Sequence, residues 1–243
     1  VNYDLNATIT LLEGFEDGIM PPSGGWVTSH EGDSINQWTI AEAITYPDYV
    51  FDGSFSAWIN FDPVAESNEW LFTPVLDISS LDDLRLKFMA YSDTEHPGAN
   101  MIVWVTDENY NNVEKVWDMF EDENWSTNAY RNVAVDLSAY DRNSLRRIGW
   151  QYIGKGGQSF GLDMIELIST SEATWLSPDS ATGTIASSAT QDVTISFDSS
   201  GLEIGNYYAA LSVENIPYPE IKIPVSLNVK GDDLLFYLPL IIR

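Results

Sequence analysis

Carboxylates are the residues in this sequence with the most chemistry to offer, and two stretches place them where a carboxylate is costly. In FGLDMIEL, Phe160 to Leu167, a lone acid, Asp163, interrupts an otherwise apolar strand. In LEGFEDGIMPPSGGW, Leu12 to Trp26, Glu16 and Asp17 follow Phe15 and precede a Pro21-Pro22 turn. A carboxylate inside a strand needs a compensating cation or hydrogen bonds, and the 243-residue chain has 37 Asp plus Glu against 11 Lys plus Arg. Calcium accepts a mixture of carboxylate and carbonyl oxygens, roughly 6 to 8 of them. The candidate ligands are Glu16, Asp33, Asp52 and Asp163, with main-chain carbonyls near Gly53 and Ser56. These acids are scattered, so no EF-hand loop carries the idea; the fold must bring the two stretches together. The expected ion is structural and ties the amino-terminal segment to the last strand of its domain. The alternative is that Asp163 accepts backbone hydrogen bonds or caps a turn, and that the other acids are solvated.

A second chemistry is sugar recognition, in which aromatic faces stack on the C–H surface of a sugar and acids hold its hydroxyls. Loop aromatics Tyr46, Tyr49, Trp117 and Trp125 are the candidates, with Asp118, Glu121 and Asp122 beside them. Trp26, Trp38, Trp58, Trp70, Trp104 and Trp150 stand in strand contexts and read as core, and Trp125 is open to the same reading. Catalysis has less to build on. His30 and His96 lie in polar, turn-like stretches where a solvated imidazole is expected, and no GxSxG elbow occurs. With so many acids, chance carboxylate pairs carry no weight. Gly154 to Gly157 joins two strands instead of opening a helix, so it is not a phosphate loop.

Composition bounds the rest. A formal net charge of -26 repels phosphate polymers and excludes a nucleic-acid partner. No cysteine is present, so neither disulfides nor thiolate metal sites are available. The chain starts at Val1 without a leader segment and reads as a mature or excised portion of a longer precursor. Its last stretch, LLFYLPLIIR, is too short to cross a bilayer as a helix, which takes about 20 residues.

These residues must be positioned by strands, because no convincing helical period occurs. Ser56–Phe61, Glu69–Phe72, Leu84–Ala90, Met101–Thr106, Val113–Trp117, Asn132–Leu137, Arg147–Tyr152 and Phe160–Leu167 are strand candidates separated by turn chemistry. In the third, Leu84, Leu86 and Phe88 face in while Arg85 and Lys87 face out. The fold class is all-β: a jelly-roll β-sandwich over residues 1–171, with a lipocalin-like barrel as the nearest competitor. Residues 1–10 read as a polar lead-in. Near Ser169–Ala173 the composition turns rich in Ser, Thr and Ala. Residues 172–231 read as a smaller immunoglobulin-like β-sandwich, and 232–243 as an apolar tail or final strand. Pro224 falls on the outward phase of Ile221–Val229, which marks an edge or a bulge.

Phe15–Gly18, Pro21–Trp26, Asp52–Trp58, Glu69–Ser79, Leu86–Phe88, Val135–Tyr140 and Gly161–Leu167 together resemble the cleaved-adhesin, or choice-of-anchor J, jelly rolls, relatives of the MAM domain. The family more often has two acids in the last motif, where this chain has Met164 in the second position. Trp175–Pro178, Gly183, Val193–Asp198, Ser200–Leu202, Gly205–Tyr207 and Ile223–Val229 resemble immunoglobulin-like domains of bacterial secreted proteins. The tail Tyr237–Arg243 is similar to tails of exported bacterial proteins. The resemblance implies a non-catalytic accessory or adhesion module, secreted or on a cell surface, attached to a catalytic domain such as a subtilisin-like peptidase. Its partners would be a glycan or a surface protein. The competing expectation is a structural spacer or adhesin segment without a soluble ligand.

Overall fold

The computed structural model describes every residue except 1, 79–80, 95–97, 112, 139–144, 187–188, 216–217 and 231–243. His96 and the apolar tail 232–243 therefore lie outside the described residues. The elements begin with β1 (Asn2–Glu13), β2 (Val27–His30), β3 (Thr39–Glu42), β4 (Phe55–Ile59), β5 (Ser67–Phe72), β6 (Leu76–Asp77), β7 (Arg85–Ser92), β8 (Ala99–Asp107) and β9 (Glu114–Asp118). They continue with β10 (Arg131–Asp136), β11 (Leu145–Gly154), β12 (Phe160–Glu172), β13 (Leu176–Pro178), β14 (Thr182–Thr184), β15 (Ile195–Phe197), β16 (Gly205–Asn215) and β17 (Tyr218–Val229). Short 3-10 turns at Pro47–Tyr49 and Met119–Glu121 interrupt the loops. The class is all-β, as the strand periodicity requires.

The chain forms two compact units, Leu12–Ser169 and a second built from both chain ends, Val1–Leu11 with Thr170–Arg243. The inner unit is a jelly-roll sandwich of two antiparallel sheets. One, sheet A, runs β10-β7-β12-β4-β3; the other, sheet B, runs β2-β5-β11-β8-β9, with β6 beside β11. Period-two alternation explains which residues fill the gap. Along β7, Leu86, Phe88 and Ala90 are buried while Arg85 is exposed. Across the gap Trp150 of sheet B meets Phe88 of sheet A edge-on at 5.7 Å, and Tyr152 meets Phe160 at 5.6 Å. Such edge-to-face pairs add to the area that the rings bury.

In the end-built unit β1 pairs antiparallel with β14 and β16, and β16 with β17; β13 pairs with β15. Its core gathers Ala173, Trp175, Leu176, Ala209 and Leu227. The opening residues are thus a strand of this unit and not a lead-in to the jelly roll. The reason is an alternation of Leu5, Ala7, Ile9 and Leu11 in the sequence, masked by the Asn, Asp and Thr between them. Pro224 sits in β17, which pairs with β16 at the end of the sheet order, where a residue without an N–H is tolerated.

Candidate functional site

The jelly roll brings the two acidic stretches together. After β1, Phe15 takes a left-handed φ of 60° and is fully buried against Trp26, with ring centroids 6.3 Å apart, while its N–H donates to Glu13 Oε1 at 2.6 Å. That turn projects Glu16 onto the start of β4, where its carboxylate accepts the N–H groups of Ser54 and Phe55. Asp163 lies on the face of sheet A that points away from Leu162, and the loop 43–54 folds across it. Its Oδ2 accepts from Phe51 N at 2.9 Å and Asp52 N at 3.2 Å, and its Oδ1 accepts from Met164 N at 2.7 Å. A bulge in the β12–β7 register follows Asp163, and Met164 has a φ of 45°. This local break lets both carboxylate oxygens of Asp163 meet main-chain amides.

Two glycines are required here. A Cβ on Gly161 would come 2.8 Å from the Tyr130 hydroxyl, because the covering loop lies on β12 at that point. Gly53 has a φ of +69°, and its Cβ would fall 2.3 Å from Glu16 Oε1. Gly53→Ala is therefore expected to expel the Glu16 carboxylate from its two amides and to cost about 1–3 kcal/mol. Chemical denaturation of the variant checks this; an unchanged midpoint would mean that the Glu16 contact contributes nothing.

The electrostatics are unfavourable for a bare site. Burial, aided by the Glu16 charge, pushes the Asp163 carboxyl up to about 6 against the pull of its three amides. Burial likewise raises Glu13 to about 7, helped by the charges of Asp17 and Asp163. Among the described residues no Lys, Arg or His pairs with Glu13, Glu16 or Asp163. Nor do three His, Cys, Asp or Glu side chains among them converge as a metal cluster. Any cation here would be held by the Glu13 and Asp163 carboxylates and main-chain oxygens.

Of the four acids expected as ligands, Glu16 and Asp163 flank this junction, and Asp52 reaches it through its amide while its side chain is exposed. Asp33 does not join them. Its N–H donates to the Glu66 carbonyl, and the adjoining Ser34 donates to Asp62, beyond the far end of β4. Glu13 was not expected; its only sequence signal is an acid closing an apolar strand two residues before Phe15.

The loop aromatics serve as packing. Tyr49 wedges between Trp58 at 4.9 Å and Tyr91 at 5.1 Å, and Tyr46 sits on Trp58 at 4.9 Å with 42% of its own surface exposed. Trp117 stands edge-on to Phe88 and Trp125, its indole N–H donating to Asp122, and Trp125 lies over the buried Phe160. Trp117, Asp118, Glu121, Asp122 and Asn124 line an open acidic groove of about 640 Å³ between β9 and β10. His30 is no solvated turn residue: it ends β2 with Nδ1 2.6 Å from Oε1 of the buried Glu69. Burial pushes the Glu69 carboxyl up and the His30 contact opposes this. Trp26, Trp38 and Trp150 are core as expected, whereas Trp58, Trp70 and Trp104 are half-buried on outward faces.

No family model and no curated protein matches the chain. Among solved structures, it is similar to the K1 cleaved adhesin domain of Lys-gingipain from Porphyromonas gingivalis W83, with 16% identity over 65% of this chain and 96% of that one and a TM-score of 0.49. It is also similar to TmCBM61, solved with β-1,4-galactotriose, at 17% identity over 64% and 94% of the two chains, TM-score 0.47. The CBM22-1 xylan-binding domain of Paenibacillus barcinonensis Xyn10C shares 13% identity over 69% and 99%, TM-score 0.42.

Proposed function

We propose that this chain is a non-catalytic, calcium-stabilised accessory or adhesion module of an exported bacterial enzyme, a peptidase by its resemblance, that works outside the cell by holding a glycan, a protein or a cell surface. The observation that carries the reading is the junction of Glu13, Glu16 and Asp163. It holds two carboxylates whose acidities are weakened by burial and by neighbouring negative charge, with no side-chain cation among the described residues beside them. Hard oxygen donors in this number suit calcium better than a softer metal. Bound there, the ion would supply positive charge where the loop 43–54, the turn after β1 and β12 meet, and so would tie the ends of the jelly roll together. A non-catalytic role is supported by what neighbouring acids do: Glu16 and Asp17 accept main-chain amides with both carboxylate oxygens, and Asp62 accepts two amides and the Ser34 hydroxyl.

Isothermal titration of the chelator-treated chain with calcium tests this. One equivalent is expected to bind, and Glu13→Gln combined with Asp163→Asn is expected to abolish the heat. Binding that survives in the double variant would place the ion elsewhere. No binding in the parent would reduce the junction to a hydrogen-bonded clamp.

A further inference from the structure

The solvent side of sheet B carries an arrangement that a water-facing sheet does not need. Along β5, Ser67, Glu69 and Leu71 are buried while Asn68 and Trp70 are half-buried; along β8, Met101, Val103 and Val105 are buried while Asn100, Ile102 and Trp104 are half-buried. The second set therefore points outward. An antiparallel sheet with one wet face ordinarily turns polar residues to the water. Here Tyr110, Phe72, Trp70 and Trp104 make a continuous run of rings from β5 to the end of β8, with successive centroids 4.8, 5.1 and 6.3 Å apart; Phe72 is buried within it, and Tyr110, Trp70 and Trp104 supply its open faces.

Gly149 makes the run possible. It faces Phe72 and Trp104 in register, and a Cβ there would come 2.5 Å from Phe72 and 3.2 Å from Trp70. The two rings, parallel to within 6°, lean over the gap this glycine leaves. Amides run between the rings. The Trp104 indole N–H donates to Gln151 Oε1 at 2.9 Å, Gln151 Nε2 donates to Asn68 Oδ1 at 2.8 Å, and Asn68 Nδ2 donates to Glu31. This chain of bonds fixes the Trp104 ring and both amides before any ligand arrives, which lowers the ordering cost of binding. Two further polar atoms of the same strands, Asn100 Oδ1 and Trp70 Nε1, are buried and have no hydrogen-bond partner among the described residues.

We propose that this face binds an uncharged polysaccharide chain lying across β5, β11 and β8. A pyranose presents an apolar C–H face and a rim of hydroxyls; flat rings alternating with fixed amides match both. The amides fixed between the rings, Gln151 and Asn68, offer donors and acceptors at the spacing of a sugar's hydroxyl rim, which favours a glycan. The charge balance selects a neutral polymer: a chain of net charge -26 repels polyuronates and sulfated glycans. The exposed charges at the ends of the platform are already engaged, Lys115 with Asp118 and Glu121, and Arg147 with the Tyr110 ring and the Thr73 carbonyl. From β5 to β8 the strand spacing gives roughly 10 Å, room for about two sugars of a chain. The proposal names the ligand class and the surface for the module described above, and rests on that reading only for its biological setting.

Affinity electrophoresis of the full chain through gels containing galactan, galactomannan, xylan or hydroxyethylcellulose, with polygalacturonate as the anionic control, tests it. At least one neutral polymer is expected to retard the parent. Trp70→Ala with Trp104→Ala is expected to weaken that retardation at least tenfold without moving the response of thermal unfolding to calcium. Asn68→Ala, which leaves every ring in place, is expected to weaken it severalfold and keeps the test open if the double variant fails to fold. Parent migration unaffected by every neutral polymer, retardation by polygalacturonate alone, or retardation retained in Asn68→Ala and the double variant would each overturn the proposal. A calcium response that fails while retardation persists overturns the metal site and leaves this face standing.

Discussion

Stripped of divalent ions, the chain is expected to lose stability as the pH rises from about 4 to about 8, and calcium is expected to remove that loss. Asp163 titrates at about 6 in the folded chain against 3.8 for a free aspartate, and Glu13 at about 7 against 4.5. Between those values the folded state binds more protons than the unfolded state, so unfolding becomes easier with each step in pH. The contribution is fully present below the unfolded values and is gone once the pH passes the folded ones. Each shift corresponds to about 3 kcal/mol, and for a unit of this size the two together lower the melting temperature by about 10 °C or more. An ion at the junction favours the ionised carboxylates and so reverses the preference, since a ligand that binds only the folded state stabilises it by mass action. Thermal scans across this range, with chelator and with millimolar calcium, check both statements. Superimposable profiles would mean that neither acid is in the environment described.

Asp163→Ala carries the second large effect. In calcium near neutral pH it is expected to cost at least about 3 kcal/mol, because the Phe51 and Asp52 amides beneath the loop lose their acceptor and the ion loses a ligand. Its melting temperature should fall by about 8 °C and should no longer respond to calcium. Asp33→Ala is the control. Its carboxylate lies beyond the other end of β4 and its exposed side chain is expected to matter by less than about 0.5 kcal/mol. Equal effects from the two would show that the loss is one of general charge and not of the junction.

The strands were legible because their apolar residues recur with period two, as in LRLKFMA, and Asp163 was legible because its context was otherwise apolar. Three features were hidden for physical reasons. In NEWLF the polarity is inverted: Glu69 points inward because His30, far away in sequence, meets it, and Trp70 points outward. A period-two pattern cannot tell which phase is inside when the acid is the buried one. MIVWVT reads as a strand buried on both faces, and only the pairing with β11 shows that Trp104 looks away from the core. Asp33 stood with the junction acids because spacing alone cannot place a loop residue, whereas the turn at Phe15 brought in Glu13 instead. The loop rings Tyr49, Trp117 and Trp125 looked available because their covering partners, Trp58, Tyr91, Phe88 and Phe160, come from other strands.

The opening strand has a consequence for how the molecule is made. Asp4 lies opposite Glu214 and Thr8 opposite Ala210, so β1 is translated well before β16, the strand it pairs with along this stretch. Until β14 and β16 emerge, Asn2 to Thr8 lack the partners they have in those strands, and an open edge with alternating apolar residues recruits other chains. The jelly roll needs nothing beyond Ser169 to close its own sheets and can fold while β16 is still being translated. Chain termination before β16 would therefore release a folded jelly roll whose opening strand keeps one edge open. The expected signature of such truncation is aggregation without loss of the inner fold.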